Sequence, residues 1–251
     1  MRRVNRSAFG AIPLLAILCL PVSAWAGRPL ATEDADTVGR GVIQIEVGLD
    51  HARQEQGDRE STLTPVLTYG LADPLDVILE VPFLSLKPRE GERESGLGDV
   101  EIRAKCRFLA EGASWPALAV MGAVKFPTGS ERRELGSGET DAGVRLIGTK
   151  GFGLVTVHAN VGYSVNGASA ERNVWSYGLA GSLKVADPLA LVAEVAGETN
   201  RDRHAADDPL ELRAGLAWAL RETLVLDGAV SVGLTSASPD YTLTVGLTAR
   251  F

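Results

Sequence analysis

From Gly96 to Phe108 the chain reads GLGDVEIRAKCRF. Asp99, Glu101, Arg103, Lys105 and Arg107 alternate with Val100, Ile102, Ala104, Cys106 and Phe108. A period of two puts every ionisable side chain on one face of a strand and every apolar one on the other. The same alternation recurs along nearly the whole chain. Ile43, Ile45, Val47 and Leu49 interleave with Gln44, Glu46, Gly48 and Asp50, and Tyr241, Leu243, Val245, Leu247, Ala249 and Phe251 close the sequence in the same phase. About twelve such segments follow one another, most of them roughly 9–12 residues long, the length a tilted strand needs to cross a bilayer.

The connections alternate as well. Long polar stretches such as HARQEQGDRES, KPREGERESGLG, PTGSERRELGSGE, NGASAERN and ETNRDRHAADD take turns with short ones such as GLADPLD, AEGASW, KGFG, VADP and RET. That rhythm predicts an all-β, antiparallel up-and-down transmembrane barrel of about twelve strands, with long external loops, short periplasmic turns and both termini in the periplasm.

Two inversions of this pattern exist: apolar side chains on lipid with charges in the lumen, or an apolar core with charges in water. The aromatics choose between them. Phe83, Phe126, Tyr163, Trp175, Tyr177 and Tyr241 fall toward the external strand ends, and Tyr69, Phe108, Trp218 and Phe251 toward the periplasmic ends, all in the apolar phase. Two aromatic girdles around an aliphatic band are what a bilayer selects, because amphipathic rings prefer its interfaces. A sandwich core would hold its large rings centrally.

Residues 1–26 read as a cleaved secretory signal. Arg2, Arg3 and Arg6 precede the apolar run Ala11–Leu20, and Ala24-Trp25-Ala26 is a small-x-small cleavage site, leaving 27–251 as the barrel domain. Cys19 is not a lipidation site, because Leu18 stands before it where a small residue is required. The signal takes three arginines and no acid with it, so the mature chain carries 22 basic and 32 acidic residues, a net charge of −10. An acidic chain of this kind is no nucleic-acid binder. The expected partners are outer-membrane lipids, a small-molecule solute, and the outer-membrane assembly machinery, which an aromatic C-terminal residue such as Phe251 would engage. The expected location is the bacterial outer membrane.

The polar phase then lines a lumen. Glu46, Asp50, Asp76, Glu80, Asp99, Glu101, Asp141, Glu194, Glu211 and Asp227 face Arg103, Lys105, Arg107, Lys125, Arg145, Lys184, Arg213 and Arg250. The balance is mixed rather than strongly selective for either sign. Antiparallel neighbours are expected to set Arg107 near Asp76, Arg103 near Glu80 and Lys125 near Asp141. Such charges either orient a permeating solute or close the bore as a network of ion pairs.

No catalytic set is expected. His158 points inward with Thr156 and Asn160, but Ser164 is six residues up the same strand and out of its reach, while His51 and His204 sit at or in loops. A lipid hydrolase would need a nucleophile beside His158 on a neighbouring strand. The acidic cluster Asp202, Asp207, Asp208 lacks the spacing of a cation-binding loop. Neither a phosphate-binding loop nor a dinucleotide fingerprint occurs, so no cofactor and no metal are expected.

Three short glycine-rich motifs remain. Gly96-Leu97-Gly98-Asp99 opens a charged strand, Lys125-Phe126-Pro127-Thr128-Gly129 closes another, and Gly136-Ser137-Gly138 precedes Asp141. With the Leu-Ala-Asp-Pro turn and the aromatic-ended last strand, they resemble the outer-membrane proteins of the MetA-pathway of phenol degradation family over essentially the whole mature chain. The resemblance implies a β-barrel transporter for aromatic or other small organic compounds. It brings no catalytic residues, and its motif positions here are Gly96, Gly98, Asp99, Phe126, Pro127 and Gly129.

Overall fold

A computed structural model describes residues 27–54, 57–167, 173–201 and 204–251. The signal segment 1–26 and Asp202 lie outside the described residues. The strands run β1 Ile43–Arg53, β2 Arg59–Ala72, β3 Leu75–Glu80, β4 Phe83–Lys87, β5 Glu94–Leu97, β6 Val100–Leu109 and β7 Ala117–Phe126. They continue as β8 Asp141–Phe152, β9 Val155–Val165, β10 Val174–Ala186, β11 Leu189–Glu198, β12 Leu210–Arg221, β13 Leu224–Gly233 and β14 Tyr241–Arg250.

Every pairing is antiparallel, and β1 pairs with both β2 and β14, so the sheet closes on itself. Closure leaves no sheet edge in lipid, where an unpaired backbone group costs several kcal/mol. The seam ends in a reciprocal bond: Ile43 N–H donates to Phe251 O at 3.1 Å, and Phe251 N–H to Ile43 O at 2.9 Å.

Fourteen strand segments make twelve barrel strands. β3 and β4 both pair with β2 and form one strand broken at Val81-Pro82, since proline offers no N–H to a ladder. β5 and β6 form the facing strand, broken at Gly98-Asp99. The long loop expected after Leu86 is thus partly a hairpin standing above the barrel. The first loop is also shorter than expected, because β1 and β2 stay paired as far as Arg53↔Arg59. Past the bilayer both faces of a strand meet water, and apolar alternation no longer marks it.

The short connections lie at one end, here the turn end, and the long ones at the other, the loop end. Gly153 shows why such turns are tight: its φ of +72° is a conformation other residues resist. The apolar phase faces outward throughout. Ile45, Leu67, Leu146, Leu179 and Val245 are exposed, as are Tyr69, Phe83, Phe126, Trp175 and Trp218 at the two rims. Trp175 and Tyr163 pack with ring centroids 4.8 Å apart at the loop end. Asp76, Lys105, Thr149, His158, Glu194 and Asp227 are buried inside. Charges in the lumen and apolar side chains on lipid are the arrangement observed.

Candidate functional site: a lumen crossed by its own chain

The barrel is not empty. Residues 27–42 form no strand, yet Thr32, Asp34 and Ala35 are buried. Their backbone groups have no ladder to join, and buried N–H groups demand acceptors. The wall supplies them. The Glu194 carboxylate accepts from Ala31 N–H at 2.9 Å and Thr32 N–H at 2.9 Å. The Asn160 amide imitates a strand edge, accepting from Glu33 N–H at 2.8 Å and donating to Glu33 O at 2.8 Å. Thr149 Oγ1 accepts from Ala35 N–H at 2.9 Å, and Asp76 from Val38 N–H at 3.0 Å.

Charge follows the same path. Glu33, Asp34 and Asp36 run beside Arg103, Lys105 and Arg107 of β6 in matching order. The separations are 3.3 Å for Glu33–Arg103, 3.7 Å for Asp34–Lys105 and 2.8 Å for Asp36–Arg107. At the other end of the segment Arg28 lies 3.7 Å from Asp227 and 3.8 Å from Asp50, and donates to Val245 O at 3.0 Å. Arg213 donates to Pro29 O at 2.8 Å and lies 3.5 Å from Glu194.

The wall is also shaped for the segment. Gly48 and Gly246 face each other across β1 and β14, and a Cβ on either would fall on the Arg28 guanidinium, at 1.7 and 2.2 Å. A Cβ on Gly70 would lie 1.7 Å from Gly39 O. A small apolar seat receives Ala35: Ile78, Met121 and Ile147 break the polar phase and pack around it with Ala117 and Ala119.

These contacts revise two expectations. Asp76 stands opposite Lys105, not Arg107, and Arg107 reaches Asp36 instead. Asp99 lies just outside β6, and its side chain turns into the loop cluster rather than lining the bore. The other expected pairs form: Arg103 contacts Glu80 as well as Glu33 and Glu101, and Lys125 lies 2.8 Å from Asp141 and 3.3 Å from Asp99. Glu211 accepts from Ser231 Oγ at 2.8 Å. The segment itself was not anticipated as part of the site. Its signal was the acidic stretch Glu33-Asp34-Ala35-Asp36, complementary to the basic face of β6, and the apolar Ile78, Met121 and Ile147 at inward positions.

The three glycine-rich motifs meet at one carboxylate. Asp99 accepts from Gly129 N–H at 3.0 Å, Ser137 N–H at 2.8 Å and Ser137 Oγ at 3.0 Å. Val100 N–H donates to Thr128 Oγ1 at 2.9 Å, and Thr128 in turn donates to Gly98 O at 2.7 Å. Burial would raise the Asp99 pKa, but the bonds from Ser137 and Gly129 and the nearby Lys125 outweigh it and hold the carboxyl below its ordinary value.

His158 does have a hydroxyl neighbour, Thr149, 3.0 Å from its Nδ1. Thr149 Oγ1 already accepts from Ala35 N–H, and both side chains lie buried beneath the segment, so the pair supports the backbone of residue 35 and faces no substrate path. Among the described residues no group of three or more His, Cys, Asp or Glu could hold a metal ion.

Among the described residues, two of the lumen's cavities measure about 270 Å³ each and have no lining residue in common. One opens toward the loop end among Arg145, Asn160, Glu194 and Glu198, and the other toward the turn end among Gln44, Glu46, Lys105 and Arg250. Residues 31–34 run between them.

The family model described as "Putative MetA-pathway of phenol degradation" matches residues 26–251. None of the curated proteins matches the chain. Among solved structures, the COG4313 outer membrane channel from Pseudomonas putida F1 superposes with a TM-score of 0.69 at 15% identity, covering 87% of this chain and 98% of that one. The KdgM porin in complex with disordered oligogalacturonate follows at 0.58 and 9% identity, over 82% and 99% of the two chains. The NanC porin gives 0.56 and 9%, over 82% and 98%. At these identities the likeness is one of fold, that of outer-membrane barrels.

Proposed function

The chain belongs to the MetA-pathway of phenol degradation family of outer-membrane barrels, and from that premise we propose that it passes small organic solutes, aromatic or apolar ones among them, passively across the outer membrane. Residues 27–42 are the element that closes it. The observation that carries this reading is how the segment is held. Its contacts with the lumen wall are mostly hydrogen bonds and ion pairs, whose polar groups water can satisfy in turn when the segment shifts. A bilayer-facing or core segment would be held by apolar burial instead.

In this reading the short turns and both termini face the periplasm. Phe251, exposed beside the β1–β14 seam, is the mark that the assembly machinery reads.

The test is solute flux into proteoliposomes, with a panel of sugars, carboxylates and small aromatics, for the intact chain and for a variant lacking residues 28–38. Heat-modifiable gel migration first establishes folding. Slow, selective flux that the deletion raises at least about tenfold, close to 1.4 kcal/mol of barrier, supports a closed channel. A second reading, a structural or surface-interaction barrel sealed by ion pairs, draws on the Arg103, Lys105 and Arg107 contacts. It prevails if neither folded variant passes any solute.

A further inference from the structure

Arg145, Gly162, Ser176 and Glu198 stand in one cross-strand row over β8, β9, β10 and β11: Arg145 pairs with Gly162, Gly162 with Ser176, and Ser176 with Glu198. The row crosses the wall of the loop-end cavity, which Arg145, Ser176 and Glu198 line together with Asn160 and Thr32. Its centre is cut low. A Cβ on Gly162 would already press on Ser176 Oγ at 2.6 Å, so this stretch of wall carries only one small hydroxyl between two long charged side chains.

Those two side chains differ from most of the charged groups in the lumen. Arg28, Arg103, Lys105, Arg107, Lys125 and Arg213 each have a carboxylate oxygen within 4.0 Å. Among the described residues Arg145 has none, and its guanidinium makes no hydrogen bond. Glu198 likewise has no basic partner within that distance, and its carboxylate accepts no hydrogen bond. Three strand spacings of about 4.8 Å separate their backbones, roughly 14 Å along the curved wall. One cation and one anion without a direct partner therefore share a cavity and act on each other only at longer range.

We infer that this cavity binds a small dipolar solute, a carboxylate joined by a short chain to an ammonium, with the carboxylate on Arg145 and the ammonium on Glu198. A guanidinium takes a carboxylate through paired N–H donors, and a carboxylate takes an ammonium as a point charge. The hydroxyl of Ser176 offers a neutral hydrogen bond between the poles. A solute with one charge leaves the other wall group unanswered, and a solute with two of like sign meets repulsion at one end. The inference deepens the channel reading by naming a class of solute for its loop-end chamber, and it is tested by binding, which needs no flux.

The experiment is calorimetric titration of the refolded full chain in zwitterion-free detergent micelles with 4-aminobutanoate, butanoate and butylammonium. The expected result is saturable binding of 4-aminobutanoate at least about tenfold tighter than of either single-charge analogue. Arg145→Met and Glu198→Gln should each bring it down to the analogue level, in barrels that remain heat-modifiable. The exchange Arg145→Glu with Glu198→Arg should recover it, with the solute reversed. Should either single variant misfold, Ser176→Leu, which fills the low centre and leaves both charges, must abolish the binding. Equal binding of butanoate and 4-aminobutanoate overturns the inference in favour of a plain anion site. Absence of saturable binding by any of the three overturns it outright, whatever flux is observed. Binding without flux upholds it and removes the channel reading instead.

Discussion

The Glu194 carboxylate accepts both the Ala31 and the Thr32 backbone N–H, each at 2.9 Å, from the wall of a strand more than 150 residues away in sequence. Glu194→Leu leaves the buried Thr32 N–H and the part-buried Ala31 N–H unanswered and removes the nearer of the two carboxylates beside Arg213. A charge-assisted pair of this kind contributes about 2–4 kcal/mol to docking the segment. Released, residues 27–42 carry Arg28 out of the bore and free the backbone around the already exposed Arg40. Trypsin should then cut at those arginines in micelles at a rate at least roughly tenfold above that of the intact chain. Glu194→Gln, which keeps an acceptor oxygen, should fall between the two.

Glycines of the wall should respond according to what a side chain would strike. Gly70→Ala drives a Cβ into the Gly39 carbonyl, which is backbone and cannot swing away, so the segment should lose its bend out of the turn end and become cleavable at Arg40. Gly48→Ala meets only the far end of Arg28, and a small rotation of that side chain should absorb it. Gly122 has open space where a Cβ would lie, so Gly122→Ala should leave both cleavage and heat-modifiability unchanged.

The three ion pairs on β6 should differ in weight. Arg103 answers Glu33, Glu80 and Glu101 from a largely buried position, and Arg103→Ala strands three carboxylates together. Breaking a buried charge network from one side costs about 3–5 kcal/mol. Arg107 and Asp36 are both partly exposed, and Arg107→Ala should cost less than about 1 kcal/mol. Urea titration of the folded fraction in liposomes, read by gel migration, should separate the two.

The Asp99 clasp should be acid-labile in a defined window. Its carboxyl titrates below the ordinary value of 3.8, chiefly because the bonds from Ser137 and Gly129 overcome the effect of burial. A depressed folded-state pKa means the clasp contributes fully above the unfolded value and is lost as pH falls through the folded one. Amide exchange at Gly129 and Ser137 should therefore stay protected down to about pH 4 and rise below it. Asp99→Asn should show raised exchange at every pH and no such transition.

Much of the barrel was legible in the chain because a bilayer imposes a strict rule. Ile45, Leu67 and Val245 face lipid and Asp76, Glu194 and Asp227 face the bore because alternation admits no other assignment once Tyr69 and Trp175 mark the two rims. What alternation does not describe is anything without a period. Residues 27–42 carry no strand pattern, so their place inside the lumen was not visible, although Glu33, Asp34 and Asp36 match Arg103, Lys105 and Arg107 in sign and order. Register was legible only roughly. The β3–β6 ladder runs unbroken from Leu75↔Cys106 to Glu80↔Glu101, and alternation does not give that register, which sets Lys105, and not Arg107, opposite Asp76. The pair Arg145 and Glu198 was hidden for a related reason: Arg145 reads as an inward charge, but Glu198 reads as the start of the polar loop ETNRDRHAADD, and only the ladder pairing puts the two in one row.

The seam between β1 and β14 sets a condition on how the molecule comes to exist. Gln44 and Arg250, joined side chain to side chain at 2.6 Å, are 206 residues apart in sequence. Almost the entire polypeptide must be present before that contact can form, so closure is the most non-local event of folding and belongs among its slowest. Until it happens, the sheet has two raw edges, each with unpaired backbone groups that lipid cannot satisfy. A polypeptide ending before Tyr241 is accordingly not a narrower pore. It is an open ribbon, with nothing to hold residues 27–42 against and no stable place in the membrane.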